Sequence, residues 1–366
     1  MRITMKSDSV VYDLRKTFQE NLLEGPFFTG AIPGRIIPPR NEWKMLFDYA
    51  VMTPLGVPAC PFVVNSRGVQ LASDLGFDVI TWKTIRSTAT QARPFPQVSF
   101  LEYAPILSFD QKMITTRRLS KSFADFAYTV SIGNASHELD IVLKDMRMGV
   151  QLIKPGQILI TSIYGVGDTR QELIDDFVYL AVRVKEVGVH VIEANLSCPN
   201  VDGLLYKDPE LVFALCSAIV KAIGTTPLTI KLGIFDSRQQ METILAAAAR
   251  AGVRGITGIN AIGMDIVTQQ GEPFFPGRTH AGVCGAPIRP FALQFIRDAR
   301  ALSDAHGYAF TILGCGGITL PEHIDLFFDA GADAALSGAA ALYNPYLMNE
   351  YAYMHFSQQS FQEIQV

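Results

Sequence analysis

Lysine, cysteine and asparagine recur in this chain at one kind of place, the end of a short apolar run. The run 78–83 (DVITWK) ends in Lys83, followed by Thr84, and LTIKL (228–232) carries Lys231. HVIEAN (190–195) leads into Asn195-Leu196-Ser197-Cys198-Pro199-Asn200, and GITGIN (255–260) closes on Asn260. A lysine in apolar surroundings has two chemical uses. It forms a Schiff base with a carbonyl, or it sets positive charge against an anionic cofactor. Cys198, flanked by Asn195, Ser197 and Asn200, has the surroundings of a thiol with a lowered pKa, a nucleophile or a general base. Neither adjacent residue is His or Asp, so no Cys–His dyad is read. Gly316-Gly317 let a backbone with free N–H groups approach a ligand closely. Gly338-Ala339 precede a helical stretch whose N-terminus favours an anion. These two turns together predict a site for a phosphate-bearing ligand.

These residues need a scaffold that gathers strand ends. Eight short runs read as buried parallel strands: 60–64, 78–83, 157–163, 190–195, 228–232, 255–260, 310–315 and 334–338. Helices separate them. Asp208-Pro209 opens one and Gly224 closes it; Thr319-Leu320-Pro321-Glu322 reads as a capping box ahead of a helix ending at Gly331. Residues 170–187 carry Leu173, Ile174, Phe177, Ala181 and Val184 on one face. Alternation of this kind favours an α/β fold, a (β/α)8 TIM barrel, with chemistry at the C-terminal ends of the strands. A doubly wound open sheet is the alternative, but no GxGxxG follows the first strand. Two stretches exceed a minimal barrel. Residues 1–50 form an N-terminal extension, in which 7–24 reads as an amphipathic helix through Val11, Leu14, Phe18 and Leu22. Residues 85–156 read as a subdomain inserted between strands 2 and 3 over the barrel mouth. The whole of 1–366 is then a single domain with these excursions.

The composition narrows the function. Of 366 residues, 49% are hydrophobic and 18% charged, which excludes a disordered chain. Basic residues number 31 and acidic residues 35, so the basic excess of a nucleic-acid binder is missing. Mean hydropathy is +0.21, yet no run of about 18 apolar residues marks a membrane span. The charged N-terminus lacks the apolar centre of a signal peptide. Five cysteines, far apart and without CxxC, argue against a zinc ribbon or iron–sulfur cluster and fit a reducing cytoplasm. The six histidines show no ligand spacing, so no metal is expected. Cys60, Cys216, Cys284 and Cys315 read as packing residues.

Taken in order, the motifs resemble one family. EANLSCPN (193–200) is similar to the signature of the dihydroorotate dehydrogenases and the related dihydropyrimidine dehydrogenases. VNSRGV (64–69), TWKT (81–84), TIKLG (229–233), GINAIG (258–263), AGVCGAPIRPFAL (281–293), GCGGI (314–318) and AGADAALSGAAAL (330–342) resemble further family segments, over about residues 55–345. The resemblance implies an FMN-binding barrel. Gly316, Gly317, Gly338 and Ala339 would hold the phosphate. Ser66, Lys83, Thr84, Asn195, Gly282 and Gly285 would contact the flavin, with Lys231 at the N1/O2 side of the ring. Lys83, Asn195, Asn200 and Asn260 would read a planar, amide-rich substrate. Cys198 would be the general base while hydride passes to the flavin, a cysteine resembling the cytosolic class of the family, where the membrane-bound, quinone-using class has serine.

The chain departs from the family at Val130, where a substrate asparagine is usual, and at Ala261 and Ala339. Asn134 is the candidate to replace the lost contact, and Arg67 a candidate for an anionic substituent. The implied activity is an FMN-dependent oxidoreductase of CH–CH groups, oxidising dihydroorotate or a closely related dihydropyrimidine-like ring in pyrimidine metabolism. The alternatives are a flavin-dependent reductase of another cyclic or alkene substrate, a flavin binder without turnover, and a barrel lyase with a Schiff base at Lys231. The expected partner is a small-molecule substrate, with no nucleic acid and no membrane. A homodimer is compatible with the sequence, and the electron acceptor is open among fumarate, NAD through a partner flavoprotein, and oxygen.

Overall fold

Thr17 and Glu20 form a reciprocal capping box that starts α1 (Phe18–Glu24). The computed structural model describes residues 10–105, 107–197 and 205–356. The helix expected over 7–24 is therefore shorter. Asn21 Oδ1 accepts the Asp13 N–H at 2.8 Å and its Nδ2 donates to the carbonyls of Asp13, Lys16 and Thr17, drawing the preceding backbone out of helical pairing. The chain then forms an antiparallel hairpin of β1 (Lys44–Leu46) and β2 (Tyr49–Val51).

The first barrel strand is β3 (Leu55–Val57), not 60–64. Pro61 removes a ladder donor within that run and Pro58 another just before it, and the run forms a turn before α2 (Ser66–Asp74), with Phe62 and Val63 buried. Asn65 caps α2 by accepting the Gly68 N–H at 2.9 Å. After β4 (Val79–Ile85) the chain leaves the barrel for β5 (Val98–Leu101), β6 (Met113–Thr116) and β7 (Ala127–Val130), and returns through α3 (Leu139–Gln151). It continues with β8 (Ile158–Ile163), α4 (Arg170–Lys185), β9 (Val191–Asn195), α5 (Pro209–Ile223), β10 (Leu228–Leu232), α6 (Arg238–Arg250) and β11 (Gly255–Gly258). A second excursion forms β12 (Ile262–Val267) and β13 (His280–Gly285). The last elements are α7 (Arg289–His306), β14 (Thr311–Cys315), α8 (Glu322–Asp329), β15 (Ala334–Leu336) and α9 (Leu347–Phe356). Asp208 caps α5 with Pro209 in its first turn, and Gly224 at φ +64° ends it, as the sequence predicts.

Among the described residues, eight parallel strands close into a barrel in the order β3-β4-β8-β9-β10-β11-β14-β15. A second closed barrel, β12-β13-β7-β5-β6, is built from both excursions. The inserted unit is thus divided differently from the expected 85–156. Residues 139–151 are the helix between β4 and β8, and two strands of the second barrel come from the segment after β11. Leu46, Phe47 and Val51 of the β1–β2 hairpin pack on Val79, Ile158, Ile160, Val191 and Leu313, filling the N-terminal end of the main barrel. That plug leaves the opposite end for the site.

Candidate active site

Strand alternation decides what faces the lumen. Val79, Ile160, Val191 and Leu313 belong to the lumen cluster. The residues two or four positions further on therefore point inward at the C-terminal end: Lys83, Ser162, Asn195, Cys315 and, on β10, Lys231. In β4 the pairing slips. Trp82 pairs with Thr161, but Ile85 pairs with Ile163. This irregularity lets the consecutive residues Lys83 and Thr84 both line the same cavity.

Hydrogen bonds tie side chains across three strands and the loop after β11. Ser162 Oγ meets Thr84 Oγ1 at 3.0 Å, and Asn195 Nδ2 donates to Thr84 Oγ1 at 3.0 Å. Asn260 Nδ2 donates to the Ser197 carbonyl at 3.0 Å and approaches Asn195 Oδ1 at 3.4 Å. The network fixes both amides and the residue just before Cys198. Lys83 Nζ donates to the Ala135 carbonyl at 3.2 Å and lies 4.9 Å from the centre of the Phe18 ring, so α1 covers it and it is no exposed rim residue.

The cavity has two joined parts. One spans about 750 Å³ of space, part of it open to solvent, and is lined by Lys83, Thr84, Tyr128, Val130, Asn134, Asn195 and Asn260, among others. The other spans about 500 Å³, likewise partly open to solvent, and reaches Gly285, Gly316, Gly317 and Gly338. Cys60, Lys231, Asn260, Ala261, Cys284 and Ala339 line both. Asn134 sits at φ +37°, and its buried Nδ2 has no hydrogen-bond partner among the described residues. That donor is aimed at a ligand acceptor or wasted.

At the narrow end Gly317 adopts φ +94°, and a Cβ there would meet the Arg289 Cβ at 2.4 Å. Arg289 Nη1 donates to the Gly317 carbonyl at 3.2 Å and to His323 Nδ1 at 3.0 Å. The backbone N–H groups of Thr319 and Leu320 approach the same Nδ1 at 3.3 and 3.2 Å. The imidazole is thus an acceptor at Nδ1; burial and the Arg289 charge lower its pKa to about 4. This arrangement replaces the expected capping box, because α8 has Pro321 at its cap with no side-chain bond. The helix expected after Gly338-Ala339 is only a single 3-10 turn, Ala340–Leu342.

Lys231 is buried. Burial alone would lower its pKa, but the negative field of Glu193 and lesser contributions from Cys315, Cys60 and Cys284 leave it above the ordinary lysine value. Burial pushes the Cys60, Cys284 and Cys315 thiols up to about 11, 12 and 11. They are neutral cavity walls, a role that sequence reasoning assigned only as packing. Their signal was positional: Cys315 ends β14, and Cys60 follows β3.

The structure brings together Lys83, Thr84, Asn134, Asn195, Lys231, Asn260, Gly285, Gly316, Gly317, Gly338 and Ala339. Ser66 lies elsewhere. It opens α2, with its N–H and Oγ donating to Asp145 at 3.1 and 2.5 Å. Gly282 is a β13 residue paired with Val130 and does not line the cavity. Arg67 donates to the Leu22 and Leu23 carbonyls, holding α1 in place of an anionic substituent. Cys198 and Asn200 lie outside the described residues. No cluster of His, Cys, Asp or Glu that could hold a metal occurs among the described residues, and no helix there is long and apolar enough to cross a membrane.

Comparison with known proteins bears on this cavity. The sequence model of the family described as dihydroorotate dehydrogenase matches residues 124–351. The chain is 34% identical over 360 residues to a dihydroorotate dehydrogenase of Dictyostelium discoideum, covering 92% of this chain and 95% of that one. It is 32% identical over 222 residues to a dihydroorotate dehydrogenase A (fumarate) of Lactiplantibacillus plantarum, covering 59% and 67%. To a dihydroorotate dehydrogenase B (NAD(+)) catalytic subunit of Bacillus pumilus it is 32% identical over 182 residues, covering 48% and 56%.

Proposed function

The chain belongs to the dihydroorotate dehydrogenase family, and from that premise we propose that its cavity binds FMN lengthwise and oxidises dihydroorotate at the wide end. The observation that carries this reading is the continuity of the two cavity parts. Bare backbone at Gly316, Gly317 and Gly338 suits a phosphate, and the buried ammonium of Lys231 suits the electron-rich edge of a ring. The residues present therefore fit the cofactor. Bound FMN supplies the two-electron acceptor that receives a hydride from the substrate.

The chain's own residues supply the rest. Asn195, Asn260 and the Nδ2 of Asn134, which has no partner among the described residues, offer amide donors and acceptors to a ring bearing two amides. The Ser162–Thr84–Asn195 chain keeps the Asn195 amide from rotating. Cys198 Sγ takes the proton from the ring carbon next to the one that gives up hydride, so two electrons and two protons leave the substrate in all. Lys231 stays an ammonium, which opposes the Schiff-base reading, since that chemistry needs the free amine.

A second reading concerns the ring's substituent. Val130 and Ala261 make one wall apolar where a polar contact is usual for the family. Two lost partners, each worth roughly 1–3 kcal/mol, shift preference between related rings without erasing recognition of the class. The free thiols of Cys60, Cys216, Cys284 and Cys315 support a reducing, cytoplasmic setting. The test is turnover with a dye acceptor, comparing dihydroorotate with uncharged dihydropyrimidines. Orotate formed fastest from dihydroorotate supports the first reading; preference for an uncharged ring supports the second.

A further inference from the structure

Glu193 is fully buried, and neither carboxylate oxygen has a hydrogen-bond partner among the described residues. A buried carboxylate in that condition is costly and calls for a reason. Glu193 lies two residues before Asn195 on β9, so it points into the lumen one layer below the cavity. Its register neighbours are Ser162 on β8 and Thr229 on β10. Both are already engaged: Ser162 Oγ with Thr84, and Thr229 Oγ1 with Thr257 at 3.4 Å. The next inward residue on β10 is Lys231, whose side chain lines both parts of the cavity.

We propose that Glu193 is a positioning residue: a buried counter-charge that keeps the Lys231 ammonium protonated where it faces the cofactor. Among the described residues, the groups facing Lys231 are Glu193 from β9, Cys315 from β14, Cys284 from β13 and Cys60 from the loop after β3; Lys83 from β4 and Tyr128 from β7 line the same cavity. Near neutral pH the three thiols are uncharged, because burial raises them to about 11–12, and burial raises Tyr128 as well. Glu193 is the carboxylate of the set, and its field works against the burial that favours a neutral lysine. Without it Lys231 loses its proton in the resting protein and regains it only when negative charge arrives on the cofactor.

This inference rests on FMN occupying the cavity, and its test separates the two. The midpoint potential of FMN bound to the wild-type protein and to Glu193→Gln is measured anaerobically from pH 6 to 10. With Lys231 charged throughout, two-electron reduction takes up one proton. The reduced-to-oxidised ratio then changes tenfold per pH unit, about 30 mV. In Glu193→Gln reduction must also protonate Lys231, so over part of the range the ratio changes a hundredfold per pH unit, about 60 mV. Glu193→Asp keeps the charge but withdraws it by one methylene, so a two-proton region enters at the high-pH end of the range, where the wild type still shows the one-proton slope. One-proton slopes in both variants over the whole range overturn the proposal. If Gln does not fold, an Asp variant indistinguishable from the wild type overturns it alone. A wild-type protein that carries no FMN defeats the functional reading instead, before Glu193 is at issue.

Discussion

A general base contributes through proton transfer and little else, so its removal leaves a recognisable pattern. Cys198→Ala is predicted to retain FMN and its spectrum, while reduction of the flavin by dihydroorotate slows by about 10²–10⁴-fold. Reoxidation by an acceptor is unaffected, because it draws no proton from a substrate carbon. Stopped-flow traces of the two half-reactions distinguish this from a general loss of structure. An unchanged reductive rate would make Cys198 a packing residue. Most of the cavity's polar residues were legible from sequence, since Lys83, Asn195, Lys231 and Asn260 end apolar runs. Glu193 was equally legible by period-2 counting from Asn195, but within a run read only as a strand it drew no attention. Ser66 was misplaced because a motif match locates a segment and not the direction of a side chain.

Elements were readable where caps or β-branched runs marked them. Seven barrel strands, β4, β8, β9, β10, β11, β14 and β15, lie within two residues of their sequence-read positions. β3 was missed because LGV is three residues long, while the neighbouring CPFVV run is more apolar and yet forms a turn. The second barrel was missed because its strands come from two excursions and pair across long separations: β13 with β7, and β12 with β6. The turn at Thr319–Pro321 was misread because His323, not Glu322, satisfies its N–H groups. That turn carries a pH signature. His323 has a folded pKa of about 4, below the roughly 6.5 of a free imidazole, so the unfolded chain takes up the proton first. Its contribution to stability is complete above about pH 6.5 and is lost as pH falls toward 4. Urea midpoints at pH 7.5, 6.0 and 4.5 are predicted to decline less steeply for His323→Gln than for the wild type. Parallel declines would mean that the imidazole is not held neutral.

At the scale of the whole molecule, the N-terminal extension is part of the barrel. Asp78, fully buried at the start of β4, accepts from Arg35 Nη2 at 2.7 Å, Thr53 Oγ1 at 2.6 Å and Gln157 Nε2 at 2.9 Å. It thereby joins the extension to β4 and the turn before β8. Asp78→Ala strands a largely buried guanidinium and is predicted to cost about 3–5 kcal/mol in denaturant unfolding. The flavin spectrum of the folded protein should not change, because the plugged end of the barrel lies opposite the cavity. A spectral change would mean that the two ends are coupled. The central event of the proposed reaction is the passage of two electrons from dihydroorotate to FMN held in this cavity. Anaerobic addition of dihydroorotate to the purified yellow protein tests it directly. The predicted result is bleaching of the flavin band with orotate formed in step with the flavin reduced. Flavin that stays oxidised under excess dihydroorotate, yet is reduced by an unrelated alcohol or saturated ring, would contradict it.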